Sequence, residues 1–305
     1  MTSFGSLGEF LRSRRARIDP DAVGLPPSPV PRRGRGLRRE EVAVLAGVSV
    51  DYYARLEQGR IGNVSDQVLT AIEDALRLDP LERDHLRSLV GTGPAKPPRV
   101  APPARSRVRV SMRTFINAID PVPALLQGPR MEVLAWNRAA SILLTDFGAL
   151  PVAERNVARW LFLDQSTRTR YPDWEQIAAP TVAALRAYHD PRVPDEALER
   201  LVGELSVASS EFARYWADYR LFKHTHGKKR IFHPMVGEMT LNYETLDIPD
   251  SGGQFLSTYT ADVGSPSEEK LNILMSWGGE PADTEHADEP ADRPAESEQP
   301  RHDRR

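Results

Sequence analysis

The chain has 305 residues, 40% hydrophobic and 27% charged, a globular composition long enough for two separate cores. It contains no cysteine, which excludes disulfides, thiolate metal sites and thiol catalysis and fits a cytoplasmic location. No apolar run of 18 residues spans a membrane, and Met1 to Phe10 lacks the basic-then-apolar order of a signal peptide. The net charge of -3 is unevenly divided: Arg12 to Arg39 holds nine arginines against Asp19 and Asp21, whereas Pro266 to Arg305 holds eleven acidic residues against five basic ones. A basic N-terminal block suits a phosphate-backbone binder, although a charge run by itself is more often a solvated face.

Taken in chain order, the first 90 residues read as five helices and no strand. Leu7, Phe10, Leu11 and Ile18 form one apolar stripe. A loop dense in Pro, Gly and Arg (Asp19 to Arg39) follows; its Arg32, Arg33 and Arg35 either contact phosphate or keep the loop soluble. Val42, Leu45 and Ala46 face inward on a second helix, with Glu40 and Glu41 near its positive end. Ser49 is the N-cap of a third helix ending at Gly59, Ser65 that of a fourth through Val68, Leu69, Ile72 and Leu76, and Pro80 opens a fifth. Between the second and third helices, Ala46-Gly47-Val48 makes a tight turn in which Gly47 supplies positive φ.

The segment LRREEVAVLAGVSVDYYARLEQGR (37–60) resembles the phage-repressor/Cro (XRE) class of helix-turn-helix, LEQGR in particular matching the end of that class's recognition helix. The resemblance implies that Arg38 and Arg39 clamp phosphates, that Val50, Asp51 and Arg55 stand at base-reading positions behind Ser49, and that Gln58 and Arg60 touch backbone. It also implies an ion pair between Arg15 and Glu57 that belongs to the scaffold. Val50 and Asp51 depart from the Gln, Arg or Asn common there; Val can meet a thymine methyl, Asp can accept from cytosine N4, and Tyr52 can supply a phosphate hydrogen bond.

The Pro-rich stretch from Gly91 to Arg107 reads as a semi-rigid linker. The expected division is therefore a DNA-binding domain over 1–92, a linker over 93–107, an α+β domain over 108–265, and an acidic, largely disordered tail over 266–305. In the third part, Met131 to Trp136 reads as a strand, Asn137 as the N-cap of a helix, and Glu238 to Asp247 as an alternating strand followed by a hairpin into Gln254 to Thr260. Helices are expected around Trp174 to Tyr188, Asp195 to Leu205 and Glu211 to Phe222.

The blocks LAWNRAA (134–140), RNVARWLFLD (155–164), RTRYPDW (168–174), LVGELSVASSEFARYW (201–216) and HPMVGEMTLNYETL (233–246) resemble the MmyB-like ligand-binding domain, a PAS-like α+β fold. That resemblance implies a transcription regulator binding an operator in double-stranded DNA and, in the second domain, a small apolar ligand such as a fatty acid. Pro180 departs from it, falling inside an expected helix where it would kink the pocket wall. Trp136, Trp160, Phe162, Trp174, Tyr188, Phe212, Trp216 and Phe232 are candidate pocket residues, each also readable as ordinary core. Arg168 and Arg170 either pair with a ligand carboxylate or form surface salt bridges.

Two rivals remain at this stage. One is a metal-dependent enzyme built on His224, His226, His233 and Glu238; the other is a second domain that serves only as a dimer or partner interface. The sequence has no HExxH, GxSxG, Walker loop or GxGxxG, and no cofactor is expected. A homodimer on a pseudo-palindrome is the expected assembly.

Overall fold

The computed structural model describes residues 7–24, 36–61, 64–91, 108–188, 195–222 and 225–277. The N-terminal unit comprises α1 (Leu7–Arg17), α2 (Arg39–Leu45), α3 (Val50–Glu57), α4 (Asp66–Ala75) and α5 (Pro80–Val90), with no strand among its described residues. The expected starts are present in local detail. The Ser49 side chain accepts from the Tyr52 N–H at 3.1 Å, the Ser65 side chain from Val68 at 3.4 Å, and Asp79 and Glu82 form a capping box ahead of Pro80. Gly47 adopts φ +64° at the tight turn, and Val48 N–H closes it onto Ala43 at 3.0 Å. Phe10, Leu11, Val42, Tyr53, Leu56, Leu69, Ile72 and Leu86 make the core, all fully buried. Gly8 is needed where α1 crosses the end of α3, because a Cβ there would sit 2.1 Å from the Glu57 carbonyl oxygen. Arg32, Arg33 and Arg35 lie outside the described residues.

The C-terminal unit is a five-stranded antiparallel sheet wrapped by helices. Its strands are β1 (Ala124–Gln127), β2 (Val133–Trp136), β3 (His226–His233), β4 (Gly237–Asp247) and β5 (Phe255–Thr260), in the order β2-β1-β5-β4-β3. Alternation sorts the faces. On one face Ala124, Leu126, Ala135 and Leu256 pack under α6 (Val110–Ala118) through Ile116. On the other, Leu125, Val133, Ile231, Met239, Leu241, Tyr243 and Tyr259 join the main core. That face is covered by α7 (Arg138–Leu143), α8 (Val157–Leu163), α9 (Ser166–Arg170), α10 (Trp174–Tyr188), α11 (Glu196–Ala208), α12 (Ser210–Ala217) and α13 (Pro266–Trp277). Asn137, 2% exposed, both caps α7 and ties it to the sheet: its Oδ1 accepts from Ala140 and Ala124 N–H, while Nδ2 donates to the Ile116 and Val122 carbonyls.

Two sequence expectations need correction. Pro266 to Trp277, assigned to the acidic tail rather than to the α+β domain, folds as α13, because Leu271, Leu274 and Met275 recur at helical spacing and bury against the main core. The helix expected to reach Phe222 stops at Ala217, and Tyr219 takes φ +51°. Pro180 does lie inside α10, where it can donate no hydrogen bond to the preceding turn.

Candidate nucleic-acid interface and ligand cavity

On α3 the helical period separates two faces. Tyr53, Leu56 and Glu57 are buried, whereas Val50, Asp51, Arg55, Gln58 and Arg60 are exposed, with Ser49 at the amino end and Tyr52 half-buried beside them. Asp51 and Arg55, four residues apart, stand one above the other on the outward face. Exposed Val44 (69%) of α2 adds an apolar neighbour.

Behind this face lies a charged scaffold. The Glu57 carboxylate, with its side chain fully buried, accepts from Arg15 Nε at 3.3 Å and Nη2 at 3.4 Å, and from Arg39 Nε at 3.1 Å and Nη2 at 2.9 Å. Arg15 also donates to the Leu37 carbonyl at 2.7 Å, joining α1 to the start of α2. The implied Arg15–Glu57 pair is therefore present, and Arg39, read from sequence as a phosphate clamp, shares it. Its side chain is 44% exposed, and the Glu57 hydrogen bond pushes its pKa up. Arg38 is the N-cap of α2, its N–H donating to Glu41 at 2.6 Å. A second buried carboxylate, Glu73, accepts from Arg83 at 3.3 Å and Arg87 at 2.7 Å, tying α4 to α5.

In the C-terminal unit the expected aromatic residues pack on one another. Phe162 meets Trp174 edge-on at 5.3 Å and Phe212 at 5.1 Å, and Phe212 stacks on Trp216 at 5.9 Å. Arg168 lies 3.8 Å over Trp174 and pairs with Glu211 at 2.7 Å, so of its two readings the salt bridge is the one realised. Arg170 donates to the Leu143 carbonyl at 2.6 Å, and burial lowers its pKa. Trp136 packs against Phe147 at the other end of the core, and the side chain of Tyr188 is outside the described residues. A small, partly open cavity of about 50 Å³ lies elsewhere, between the inner sheet face and α8 and α10. Leu125, Met131, Leu144, Trp160, Tyr171 and Ile177 form much of its apolar wall, and Gln127, Thr181, Lys229 and Ser257 are polar. Of the pocket candidates, Trp160 lines this cavity, whereas Trp136, Phe162, Arg168, Trp174, Phe212 and Trp216 do not. Phe162 and Arg168 instead border an open cleft beside Ser209–Glu211. Sequence reasoning missed Gln127, Lys229 and Ser257; in β3 basic residues stand on both faces, so no period of two marks Lys229 as inward.

Lys229 sits under Tyr243 and Tyr259, and burial draws its pKa down to about 8 from the ordinary 10.5. Between these values the unfolded chain binds more protons than the folded one, so this lysine makes stability rise with pH. Lys229→Met is accordingly expected to be more stable than the parent below pH 8, with the gap closing by pH 10.5. Thermal melts at pH 7 and pH 10 measure it; a constant gap would refute the assignment.

The rival metal site fails on geometry. His226 and His233 occupy the two ends of β3, about 23 Å apart at the rise of an extended strand. His233 is buried, its Nδ1 accepting from Met235 N–H at 3.3 Å, and burial lowers its pKa. His224 lies outside the described residues.

The two units meet at Tyr219, 4% exposed and inserted into the N-terminal core. Its ring lies 5.8 Å from Phe10 and 6.0 Å from His85. Arg14 donates to the Tyr219 carbonyl at 2.6 Å and pairs with Glu82 at 2.5 Å; Arg17 donates to the Asp218 carbonyl at 2.5 Å. Burial, and next the nearby Arg17, draws the Arg14 pKa down to about 10. From the other side, Arg186 of α10 places its guanidinium 3.9 Å over Trp216 and 4.0 Å over Tyr219, and donates to the Trp216 carbonyl. One helix thus contributes Ile177 and Thr181 to the cavity and Arg186 to the contact between units.

A helix-turn-helix unit with an outward-facing α3, followed by a sheet that lines a cavity, is the arrangement two family comparisons recover. The helix-turn-helix domain family matches residues 6–86, and the MmyB-like transcription regulator ligand binding domain matches residues 108–274, more than half the chain. The chain belongs to the MmyB-like transcription regulators. It is a DNA-binding transcription regulator with a ligand-binding domain. No curated protein matches it. Among the described residues, no helix of this regulator is long and apolar enough to cross a membrane, and no three His, Asp or Glu residues group as metal ligands.

Proposed function

We propose that this MmyB-like regulator binds a pseudo-palindromic operator as a homodimer and that a small ligand with an apolar, fatty-acid-like body, held in the C-terminal domain, changes its operator affinity. The reading is carried by one observation: α10 contributes residues both to the cavity wall and to the Arg186–Tyr219 contact that holds the N-terminal unit. A ligand that displaces α10 acts on the orientation of α3, and orientation matters in a dimer whose half-sites lie one turn, about 34–36 Å, apart. Coupling requires only that the ligand bind the two orientations unequally.

In this reading α3 enters the major groove. Val50, Asp51 and Arg55 face base edges, Ser49 and Tyr52 approach phosphate at its amino end, and Arg38, Gln58 and Arg60 flank it on the backbone. The exposure of that row supports the assignment. Selection of binding sites from random DNA by the full chain, with and without cellular lipid extract, tests the whole. A two-fold symmetric site whose enrichment responds to the extract is expected; enrichment of asymmetric sites, or none, would overturn it. Arg55→Ala should relax preference at one base pair by about 1–3 kcal/mol, read by competition among operator variants. An equal loss on all variants would remove Arg55 from the base-reading set.

A further inference from the structure

Lysine is scarce in this chain: Lys96, Lys223, Lys228, Lys229 and Lys270 are its only five, among 40 basic residues. Arginine does not shed its proton, so only these five side chains can present a neutral primary amine. One of them lines the cavity behind the sheet. Lys229 occupies the fourth position of β3, paired in register with Leu241. Lys228 and Arg230 on either side of it pair at the surface with Asp262 at 2.6 Å and Asp173 at 2.5 Å. Lys229 has no carboxylate partner among the described residues, and no carboxylate is among those lining the cavity. Its ammonium rests 4.2 Å over the Tyr243 ring and 5.7 Å from that of Tyr259, contacts that ease desolvation without balancing the charge. An ammonium left unbalanced in an apolar cavity is the condition that turns a lysine from an ion-pairing group into a nucleophile.

The other lining groups suit a carbonyl compound. Gln127 donates to Ser257 at 3.1 Å, which leaves the Ser257 hydroxyl proton for an incoming oxygen. The indole N–H of Trp160 is buried with no acceptor, a cost that an oxygen entering the cavity would relieve. Leu125, Met131, Leu144 and Ile177 offer an apolar wall to an alkyl group. At about 50 Å³ the cavity has room for about three or four water-sized groups, so a short molecule enters without displacing α8 or α10.

We propose that Lys229 is a carbonyl-reactive site, at which a short-chain aldehyde of about two to four carbons condenses to an imine. The amine lone pair attacks the carbonyl carbon and forms the C–N bond, and the carbonyl oxygen takes a proton to give a carbinolamine. That hydroxyl leaves as water, the nitrogen gives up its remaining proton, and a C=N bond replaces C=O; no oxidant or reductant takes part. The product is neutral, so the cavity exchanges an unbalanced ammonium for an uncharged group. This site is separate from the fatty-acid-like ligand proposed above, because it forms in the cavity as it stands and needs no movement of α10.

Reactivity should follow the free amine. Burial draws the Lys229 pKa down to about 8, so imine occupancy at low aldehyde rises about tenfold per pH unit below that value and levels off above it. The groups around Lys229 do not change charge in that range. Tyr171, Tyr243 and Tyr259 are pushed up by burial and stay neutral, and His233 is pushed down by burial and stays neutral. On α9, Arg170 is bound to the Leu143 carbonyl and Arg168 to Glu211, and on α13 Lys270 donates to the Glu238 carbonyl. His226, Lys228 and Arg230 of β3, like Glu238 and Glu244 of β4, alternate to the other side of the sheet.

The test equilibrates the full chain with propanal at a series of pH values and quenches it with sodium borohydride, which fixes each imine as a secondary amine. Peptide mass spectrometry then gives the occupancy of every lysine. At pH 7 Lys229 should exceed each of the other four lysines at least about tenfold, with the N-terminal amine mapped separately because its ordinary pKa is near 8. Occupancy of Lys229 should flatten above about pH 8, whereas that of the surface lysines should climb to about pH 10. A bulkier probe, 2,2-dimethylpropanal, is too broad for the cavity and should label the surface lysines without favouring Lys229. Lys229→Arg keeps the charge, should stay folded by circular dichroism, and should lose this adduct while the other sites keep theirs. Occupancy of Lys229 no greater than that of Lys228 in the parent would overturn the assignment. Equal preference for Lys229 with both aldehydes would place the reacting amine outside the cavity and overturn it as well. Neither result bears on the homodimer or on the fatty-acid-like ligand.

Discussion

Glu57→Ala is expected to destabilise the N-terminal domain by about 3 kcal/mol, a large part of the 5–15 kcal/mol that typically holds a domain together. The carboxylate is fully buried and receives hydrogen bonds from two arginines on two other elements, so its removal frees α1, α2 and α3 from one another. Arg15 and Arg39 are both partly exposed and can reach water once released, which keeps the cost near the low end for a broken buried pair. All five tryptophans lie after residue 135, so tryptophan fluorescence follows the C-terminal domain alone while far-ultraviolet circular dichroism includes the N-terminal helices. Chemical unfolding should show the dichroism transition shifted and the fluorescence transition in place. Coincident shifts would mean that the two units unfold as one, and an unshifted curve would show that the pair contributes no net stability. The same network changes what Arg39→Ala can report: weaker operator binding by that variant combines a lost phosphate contact with a loosened scaffold, so only a reduced salt slope in a protein of unchanged stability identifies the contact.

Tyr219→Ala is expected to detach the two units and abolish ligand control of operator affinity. The ring is almost wholly enclosed by Phe10, His85 and Arg186, and truncating a buried aromatic side chain costs about 3–5 kcal/mol of packing. That packing lies at the junction between units, so the loss falls on their docking before it falls on either core. Small-angle scattering should show an increase in radius of gyration. Operator affinity measured with and without decanoate should show the response vanish. Tyr219→Phe keeps the ring between Arg186 and Phe10 and should retain the response. An unaltered response in Tyr219→Ala would place the coupling elsewhere, for instance in the dimer contact itself.

Most of the N-terminal domain was legible because its determinants are short-range. The caps Ser49, Ser65 and Asp79, the positive φ of Gly47 and the stripes of Val42 with Leu45 or Leu69 with Ile72 act within one or two helical turns, where local composition and local structure coincide. The outward face of α3 follows from the same period, whereas the base-reading roles of Val50, Asp51 and Arg55 are what the resemblance to the XRE helix-turn-helix implies. Alternation in β4, with Met239, Leu241 and Tyr243 inward, was legible for the analogous reason. In β3 the pattern was silent. His226 to Arg230 carries basic residues on both faces, and a period of two cannot be seen when inward and outward residues have the same polarity. The ordered α13 was hidden by the acidic composition around it.

The sequence by itself determined the helix-turn-helix, the class of the second domain and the residues that α3 turns outward, because capping, turns and periodicity are properties of neighbouring residues. Tertiary structure alone decided that Arg39 shares Glu57 with Arg15, that the aromatic row from Trp174 to Trp216 is filled core, and that Lys229 lacks the surface partners held by Lys228 and Arg230. It also decided that Tyr219 leaves its own domain to enter the other. Each depends on groups brought together from distant parts of the chain, where the energy of a charge or a ring is set by what surrounds it.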